Sequence, residues 1–213
     1  MMVFLPKMGY NRTTARAVVY GPEKHGGIGI KSLYAEQSIA QITALIQHTR
    51  LHSPFGRTIR INMDWVQITA GIQCPVLEDT RPIQHLEGEW FKSIREFLFK
   101  TNSKIEIDNL WVPKLQRKQD RCIMDVLRNC NDTPKINRVK IYLQATTIAD
   151  ITNAEGTYIT EFSFGGQNSR NAENPRRSTH EWPRQPRPGP KSWKAWREAL
   201  QAILSKDGKN RQL

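Results

Sequence analysis

The chain has 213 residues and a strong excess of positive charge, with 32 lysines and arginines against 20 aspartates and glutamates. Its 38% of apolar and 24% of charged residues are typical of a globular protein, and its length suffices for one domain with a sizeable core. No apolar run is long enough to cross a membrane, and Pro6 breaks the first residues too early for a signal peptide. We therefore expect an intracellular protein, cytoplasmic or nuclear, with no membrane partner.

The formal charge of +12 is unevenly distributed. Residues 164–213 hold 11 basic and 4 acidic side chains, a net of +7, whereas residues 1–163 hold 21 and 16, a net of +5. Such an excess suits a polyanionic partner, most commonly nucleic acid, and a solvated basic surface without a partner is the alternative.

The first part of the chain predicts irregular structure followed by a long helix. Residues 1–30 show no helical periodicity and contain one short strand at 17–20. Ser32 is a suitable N-cap for a helix over 33–51, because apolar residues recur there every three or four positions. These apolar positions are Ala35, Ile39, Ile42 and Ile46.

Two further helices have pronounced apolar stripes. A helix over 57–71 carries two adjacent apolar faces, which predicts that it is buried over much of its circumference. A helix over 85–100 has a single stripe. Trp65 and Trp90 lie on these stripes, so we expect both in the core. The stripes consist of Ile59, Met63, Val66 and Ala70 with Ile61, Trp65 and Ile68 in the first helix, and of Leu86, Trp90, Ile94, Phe97 and Leu98 in the second.

The second half of the body predicts helices alternating with short strands. Residues 105–108 alternate as a strand does, and a helix near 117–130 follows. Thr133 as N-cap and Pro134 as the first helical residue start another helix, with a strand over 157–162 after it. The inward positions predicted for the helix that starts at Pro134 are Ile136, Val139, Leu143 and Thr146.

Residues 165–190 change in character, because they hold five prolines and few apolar residues, which indicates a linker. Ser192 then caps a last helix whose apolar face consists of Trp193, Trp196, Leu200 and Ile203. A short helix cannot bury that face by itself, so it should dock on the body or on a partner. The prediction is a mainly α fold: a bundle-like helical body with minor β strands over 1–163, and a basic Pro-rich linker with a C-terminal helix over 164–213.

No constellation of residues predicts catalysis. A polymerase needs carboxylates that converge on Mg²⁺, and the chain contains no Asp-Asp pair. Glu78-Asp79, the nearest acidic dipeptide, lies between two prolines without a strand pattern, so we interpret it as structural. The glycine-rich segment before Ser32 is not a phosphate-binding P-loop, because Ile30 stands where that motif requires glycine. We expect no enzyme activity, and no catalytic, cofactor-binding or metal-binding residues.

The basic residues are the candidate binding groups, because arginine, lysine and aromatic side chains interleaved along a chain can hold phosphates and stack on bases. They flank the glycine-rich segment, surround the turn between the first two long helices, and form a cluster after Trp111. The ten candidates are Arg12, Arg16, Lys24, Lys31, Arg57, Arg60, Lys114, Arg117, Lys118 and Arg121.

A series of short blocks, in order along most of the chain, resembles the region downstream of the polymerase core in retrotransposon reverse transcriptases. The glycine-rich GGIGI at 26–30 is the most informative of them. The blocks are LPKMGYNR at 5–12, RAVVYGP at 16–22, GGIGI at 26–30, EQSIAQ at 36–41, VLEDT at 76–80, IYLQATTIADI at 141–151 and WPRQPRPGP at 182–190 with Ser192-Trp193.

The resemblance implies a thumb-like or post-thumb helical region that holds an RNA or RNA–DNA template–primer duplex beside a polymerase core. Fingers, palm and catalytic aspartates would be supplied elsewhere, so the chain would be a non-catalytic C-terminal portion of an RNA-directed DNA polymerase, a truncated fragment of a transposable-element protein. The alternative is a helical scaffold that binds a protein through its last helix and has no role with nucleic acid.

Overall fold

The structure is a computed structural model that describes residues 4–51, 53–165, 182 and 185–207. It contains two compact units, residues 1–48 and residues 49–213. The predicted mainly α fold is confirmed. Within the described ranges, strand pairing is limited to two isolated antiparallel bridges, Cys122 with Thr147 and Thr152 with Ile159.

The first unit contains α1 (Phe4–Lys7), α2 (Arg16–Tyr20), a 3-10 turn and most of α3 (Leu33–Arg50). The strand predicted at 17–20 is wrong, because these residues form α2. The glycine-rich segment supplies the reason: it crosses the end of α2 and donates from Ile28 N to Val18 O at 2.8 Å. A Cβ on Gly27 would lie 2.1 Å from the carbonyl oxygen of Gly21, so only glycine permits this crossing.

The predicted start of α3 is confirmed, and its predicted buried face is wrong. Ser32 Oγ accepts a hydrogen bond from Ala35 N at 3.5 Å, as an N-cap does. Ser38 and Leu45 are the fully buried positions, whereas Ile39 is 52% exposed. The buried face is therefore rotated from the isoleucine stripe that the periodicity indicated.

In the second unit, α4 (Pro54–Ala70) begins three residues before the predicted start. Ser53 Oγ accepts from Gly56 N at 3.0 Å, so Ser53 is the N-cap and Pro54 the first helical residue. Ile61 is 67% exposed and Trp65 half-buried, which corrects the prediction of burial over much of the circumference.

The loop between α4 and α5 (Glu89–Lys100) is held by buried polar side chains. Gln67 Nε2 donates to Ile72 O and to Cys74 O, both at 3.0 Å, and its Oε1 accepts from Val76 N at 2.7 Å. Arg95 donates to three loop carbonyls, and its burial lowers its pKa to about 10. The helix predicted from residue 85 consequently starts later, after Gly88 at φ 100°. Trp90, expected in the core, is half-buried.

Three predicted elements between α5 and the last helix differ from the structure. Residues 105–108 form no strand, since no strand runs beside them among the described residues. The helix predicted over 117–130 shortens to α6 (Ile123–Val126), because residues before it fold around the buried Asp120 carboxylate. The strand predicted over 157–162 reduces to one bridge followed by a 3-10 turn at Glu161–Phe164.

The main core of the second unit forms where α9 (Pro190–Asp207) packs on α7 (Thr133–Leu143), close to α8 (Ile148–Ile151). Asp132, at φ 64°, occupies the N-cap position predicted for Thr133. α9 begins at Pro190, so Ser192 lies in its first turn rather than capping it. The predicted inward positions Ile136, Val139 and Leu143 of α7 are confirmed as buried. Thr146 is also buried, but it lies beyond the end of the helix at Leu143.

The apolar face of α9 docks on the body of the same unit, one of the two predicted outcomes. Trp193 and Trp196 are 5% and 0% exposed, and Trp196 Nε1 donates to Ser163 O at 2.8 Å. Most of the predicted linker, at 166–181 and 183–184, lies outside the described residues. Within the described ranges, no helix combines the length and apolar character needed to span a bilayer.

Candidate nucleic-acid interface

The four candidate cations of the first unit, Arg12, Arg16, Lys24 and Lys31, are all exposed. Lys31 Nζ lies 3.9 Å from Glu36 Oε1, a contact between two exposed groups that contributes little to stability. Arg12, Arg16 and Lys24 have no carboxylate within ion-pair distance among the described residues. Their charges therefore face solvent, where a phosphate could reach them.

The candidates of the second unit divide into engaged and open side chains. Arg60 is exposed but its guanidinium donates to Thr49 O near the end of α3. Arg117 is half-buried and donates to Thr152 Oγ1 at 3.0 Å and to Asn153 O at 3.4 Å. The open cations, exposed and without an ion pair in the described part of the chain, are Arg57, Lys114, Lys118 and Arg121.

Three of these open cations lie on residues 114–121, which we call the basic loop. Its backbone is organised by Asp120, whose side chain is buried although the loop is at the surface. Asp120 accepts from Gln116 N at 2.9 Å and from Arg121 N at 3.0 Å. It also accepts from Ala149 N at 2.9 Å, which fastens the loop to α8. One carboxylate therefore fixes both ends of the loop's last turn.

Asp150 forms a second anchor for the basic loop. Its Oδ2 accepts from Thr146 N at 2.7 Å and from Thr147 N at 2.8 Å, at the start of α8. Its Oδ1 accepts from the side-chain amide of Gln116, within the basic loop. Carboxylates that accept several N–H donors form strong, charge-assisted hydrogen bonds. The backbone of the loop is therefore pre-organised, and little backbone entropy is left to lose when a ligand binds.

The basic loop can hold phosphates but has no group for chemistry. Lysine and arginine side chains that project from a fixed backbone can contact successive phosphate oxygens and position a duplex without reading its sequence. Arg117 connects the loop to residues 152–153 through its two hydrogen bonds. The sequence predicted the cations but not the two anchors. The Thr147-x-x-Asp150 spacing of a capping box was the one available signal for Asp150.

Outside the basic loop, Asp79, Cys74 and Cys122 have pKa values that hydrogen bonds or burial shift. Asp79 accepts from Arg81 Nε at 2.7 Å, and hydrogen bonds from Arg81 lower its pKa to about 2. Burial raises the pKa of Cys74 to about 11 and that of Cys122 to about 12, so both stay as thiols at neutral pH. Within the described ranges, no group of three His, Cys, Asp or Glu side chains could hold a metal ion.

Two buried basic side chains meet the last carbonyls of α4. Lys140 is 0% exposed, and its Nζ donates to Ile68 O at 2.5 Å. His85 is 7% exposed, and its Nε2 lies 3.0 Å from Ala70 O. Burial lowers the pKa of Lys140 to about 7 and that of His85 to about 4. Both residues satisfy helix C-terminal carbonyls that would otherwise lack donors.

Comparisons with protein-family models, with curated proteins and with solved structures find no match to this chain. The class that the structure defines is therefore its mainly α-helical fold. The resemblance to reverse transcriptases stays a prediction.

Proposed function

We propose that this chain is a non-catalytic, nucleic-acid-binding portion of a retroelement reverse transcriptase, which holds a template–primer duplex for a polymerase core supplied elsewhere. The observation that carries the proposal is the basic loop: Lys114, Lys118 and Arg121 are exposed, while Asp120 and Asp150 hold the backbone that carries them. The formal charge of +12 and the ordered blocks that resemble this family add support.

The physical basis is sequence-independent phosphate binding. Each lysine or arginine that neutralises a phosphate releases condensed counterions, so affinity falls steeply as salt rises. A pre-organised loop raises the affinity, because fewer backbone torsions must be ordered on binding. An RNA–DNA hybrid is the expected ligand, and the protein would recognise its backbone and shape.

The test is a titration of the full chain with an RNA–DNA hybrid at rising salt. The variant K114Q/K118Q/R121Q should bind at least about tenfold more weakly at low salt. The slope of log K against log salt should become shallower by about 0.9 for each phosphate that the variant no longer neutralises. The matched control K92Q/K104Q/K135Q removes the same charge, from lysines that lie within 4.0 Å of a carboxylate.

The result that supports the proposal is a large loss of affinity in the basic-loop variant with a small loss in the control. Equal losses would mean that net charge alone drives binding, and would remove the basic loop from the proposal. Undetectable binding of the unaltered chain at low salt, or binding that ignores salt, would overturn the proposed function itself.

The alternative, a helical scaffold with a protein partner, stays a prediction. Its expected docking surface was the tryptophan face of the last helix. Because Trp193 and Trp196 are buried against the second unit, that face does not offer a free surface.

A further inference from the structure

One face of α4 presents apolar side chains to solvent. Ile61 is 67% exposed, and Trp65, four residues later, is half-buried. Arg57, four residues before Ile61, is exposed. Because residues four apart are neighbours on a helix surface, a cation, an aliphatic side chain and an indole follow one another over about 12 Å. This row of three side chains therefore combines a positive charge with an apolar surface that a ligand can reach.

The Trp65 end of this row meets a second aromatic residue. Trp65 and Trp111 both pack against a buried cluster that consists of Ile68, Ile141 and Trp182. Trp111 is half-buried, as Trp65 is. The cluster beneath them is fixed by a hydrogen bond, since Trp182 Nε1 donates to Ile141 O at 3.0 Å. Two indoles are therefore held on a common support, and part of each side chain remains accessible to solvent.

Trp111 connects this pair of indoles to the basic loop. Lys114 is the third residue after Trp111, so their Cα atoms lie at most about 11 Å apart. Pro113, between them, is buried, whereas Lys114 is exposed. Exposed cations therefore flank the indoles along the chain on both sides, with Arg57 before Trp65 and Lys114 after Trp111. An anionic ligand with flat apolar groups has the charge and shape that complement this surface.

Single-stranded nucleic acid is such a ligand. Proteins bind it by stacking its bases on aromatic side chains while lysines and arginines hold its phosphates, and no sequence needs to be read. The bases of a duplex already stack on one another, so only an unpaired strand can use the indoles. We propose that Ile61, Trp65 and Trp111 form a stacking platform for the single-stranded template that extends beyond the duplex on the basic loop. This inference rests on the proposed function and adds a second part of the substrate to it.

The experiment measures the affinity of the full chain for three forms of one RNA–DNA hybrid. The first is blunt, the second carries a short template overhang of uridines, and the third carries an abasic overhang of the same length. The two overhangs have the same phosphates, so the difference between them isolates the bases. The unaltered chain should bind the uridine overhang at least about fivefold more tightly than the abasic one, the low end of what one stacked base contributes. We call this ratio the base gain.

Substitutions at the platform separate stacking from apolar packing. Trp65→Leu should lose most of the base gain, whereas Trp65→Phe, which keeps an aromatic face, should retain a larger part of it. Trp90→Leu is the matched control, because Trp90 is also half-buried but packs on Phe91 of α5, with ring centroids 4.9 Å apart. All three variants should bind the blunt hybrid as the unaltered chain does. If Trp65→Leu has a lowered Tm, Ile61→Gln, at an exposed position, replaces it and should reduce the base gain at an unchanged Tm.

The outcomes distinguish failure of the platform from failure of the proposed function. Equal affinity of the unaltered chain for the two overhangs, or a full base gain in Trp65→Leu, would overturn the platform, while binding of the blunt hybrid would still support the duplex proposal. No binding of the blunt hybrid, with free oligouridine bound and weakened by Trp65→Leu, would overturn the duplex proposal and support the platform. Proline-rich peptides also dock on aromatic surfaces, so binding of such a peptide without any base gain would overturn the platform in favour of a protein partner.

Discussion

Replacing Lys140 by methionine tests whether the buried ammonium sets the stability of the second unit near neutral pH. Lys140 is 0% exposed, and its environment lowers its pKa from 10.5 to about 7. Burial is the main cause, because an ion removed from water loses its hydration. Methionine has a similar length and no charge, so it fills the space without titrating.

The sign of the effect follows from proton binding. Between pH 7 and pH 10.5 the unfolded chain holds the lysine proton and the folded chain releases it, so the free energy of unfolding rises with pH. Below pH 7 both states are charged and the full cost of burying the ammonium remains. Across the window from about pH 6.5 to about pH 8.5 the linkage relation gives a rise of about 2 kcal/mol.

The assay is urea unfolding of both chains at the two ends of that window. Between the acid and the alkaline end, the free energy of unfolding of the unaltered chain should rise by about 2 kcal/mol more than that of Lys140→Met. Subtracting the free energies of unfolding of the two chains removes the contributions of groups that both contain. The buried thiols are such groups, and their raised pKa values lower the free energy of unfolding as pH rises above 9. Lys135→Met, on the surface of the same helix, should keep the rise. An equal rise in Lys140→Met would refute the reasoning.

Elements that local periodicity determines could be predicted from the sequence. The face of α9 that carries Trp196 and Leu200 is buried as expected. It could be predicted because apolar residues on consecutive turns of one helix mark its buried face. The inward face of α7 is confirmed for the same reason. The beginning of α4 was predicted three residues too late, although Ser53 and Pro54 have the chemistry of a helix start.

Elements that depend on distant partners could not be predicted. Residues 105–108 alternate as a strand, yet Ile105 N donates to Leu77 O in a loop. Thr160 N donates to Ile151 O, and the chain then turns into a 3-10 helix instead of extending. A strand needs a partner strand, and alternation within one segment carries no information about whether that partner exists.

The candidate site likewise combines features that the local sequence shows with features that depend on distant partners. The basic residues of the loop are visible in the sequence, but which of them stay open depends on contacts such as Arg117 with Thr152, 35 positions apart. The contact of Asp120 with Ala149 spans 29 positions.

Two further substitutions test the buried polar groups of the second unit. His85→Gln keeps a donor for Ala70 O but cannot titrate, whereas burial lowers the pKa of His85 from 6.5 to about 4. The unfolded chain alone holds the proton between these values, so the unaltered chain should lose about 2 kcal/mol of stability from about pH 6.5 to about pH 4.5, and the variant should lack that loss. Asp120→Asn replaces one carboxylate oxygen by an NH₂ group, which cannot accept from the N–H groups of Gln116, Arg121 or Ala149. At least one buried donor then faces another donor, at a cost of about 2 to 3 kcal/mol and a fall in Tm of several degrees in a thermal melt. The basic side chains of the loop are kept, and removing the carboxylate charge would by itself favour phosphate binding, so a fall in hybrid affinity reports the loss of pre-organisation. Unchanged melting would show that Asp120 does not anchor the loop.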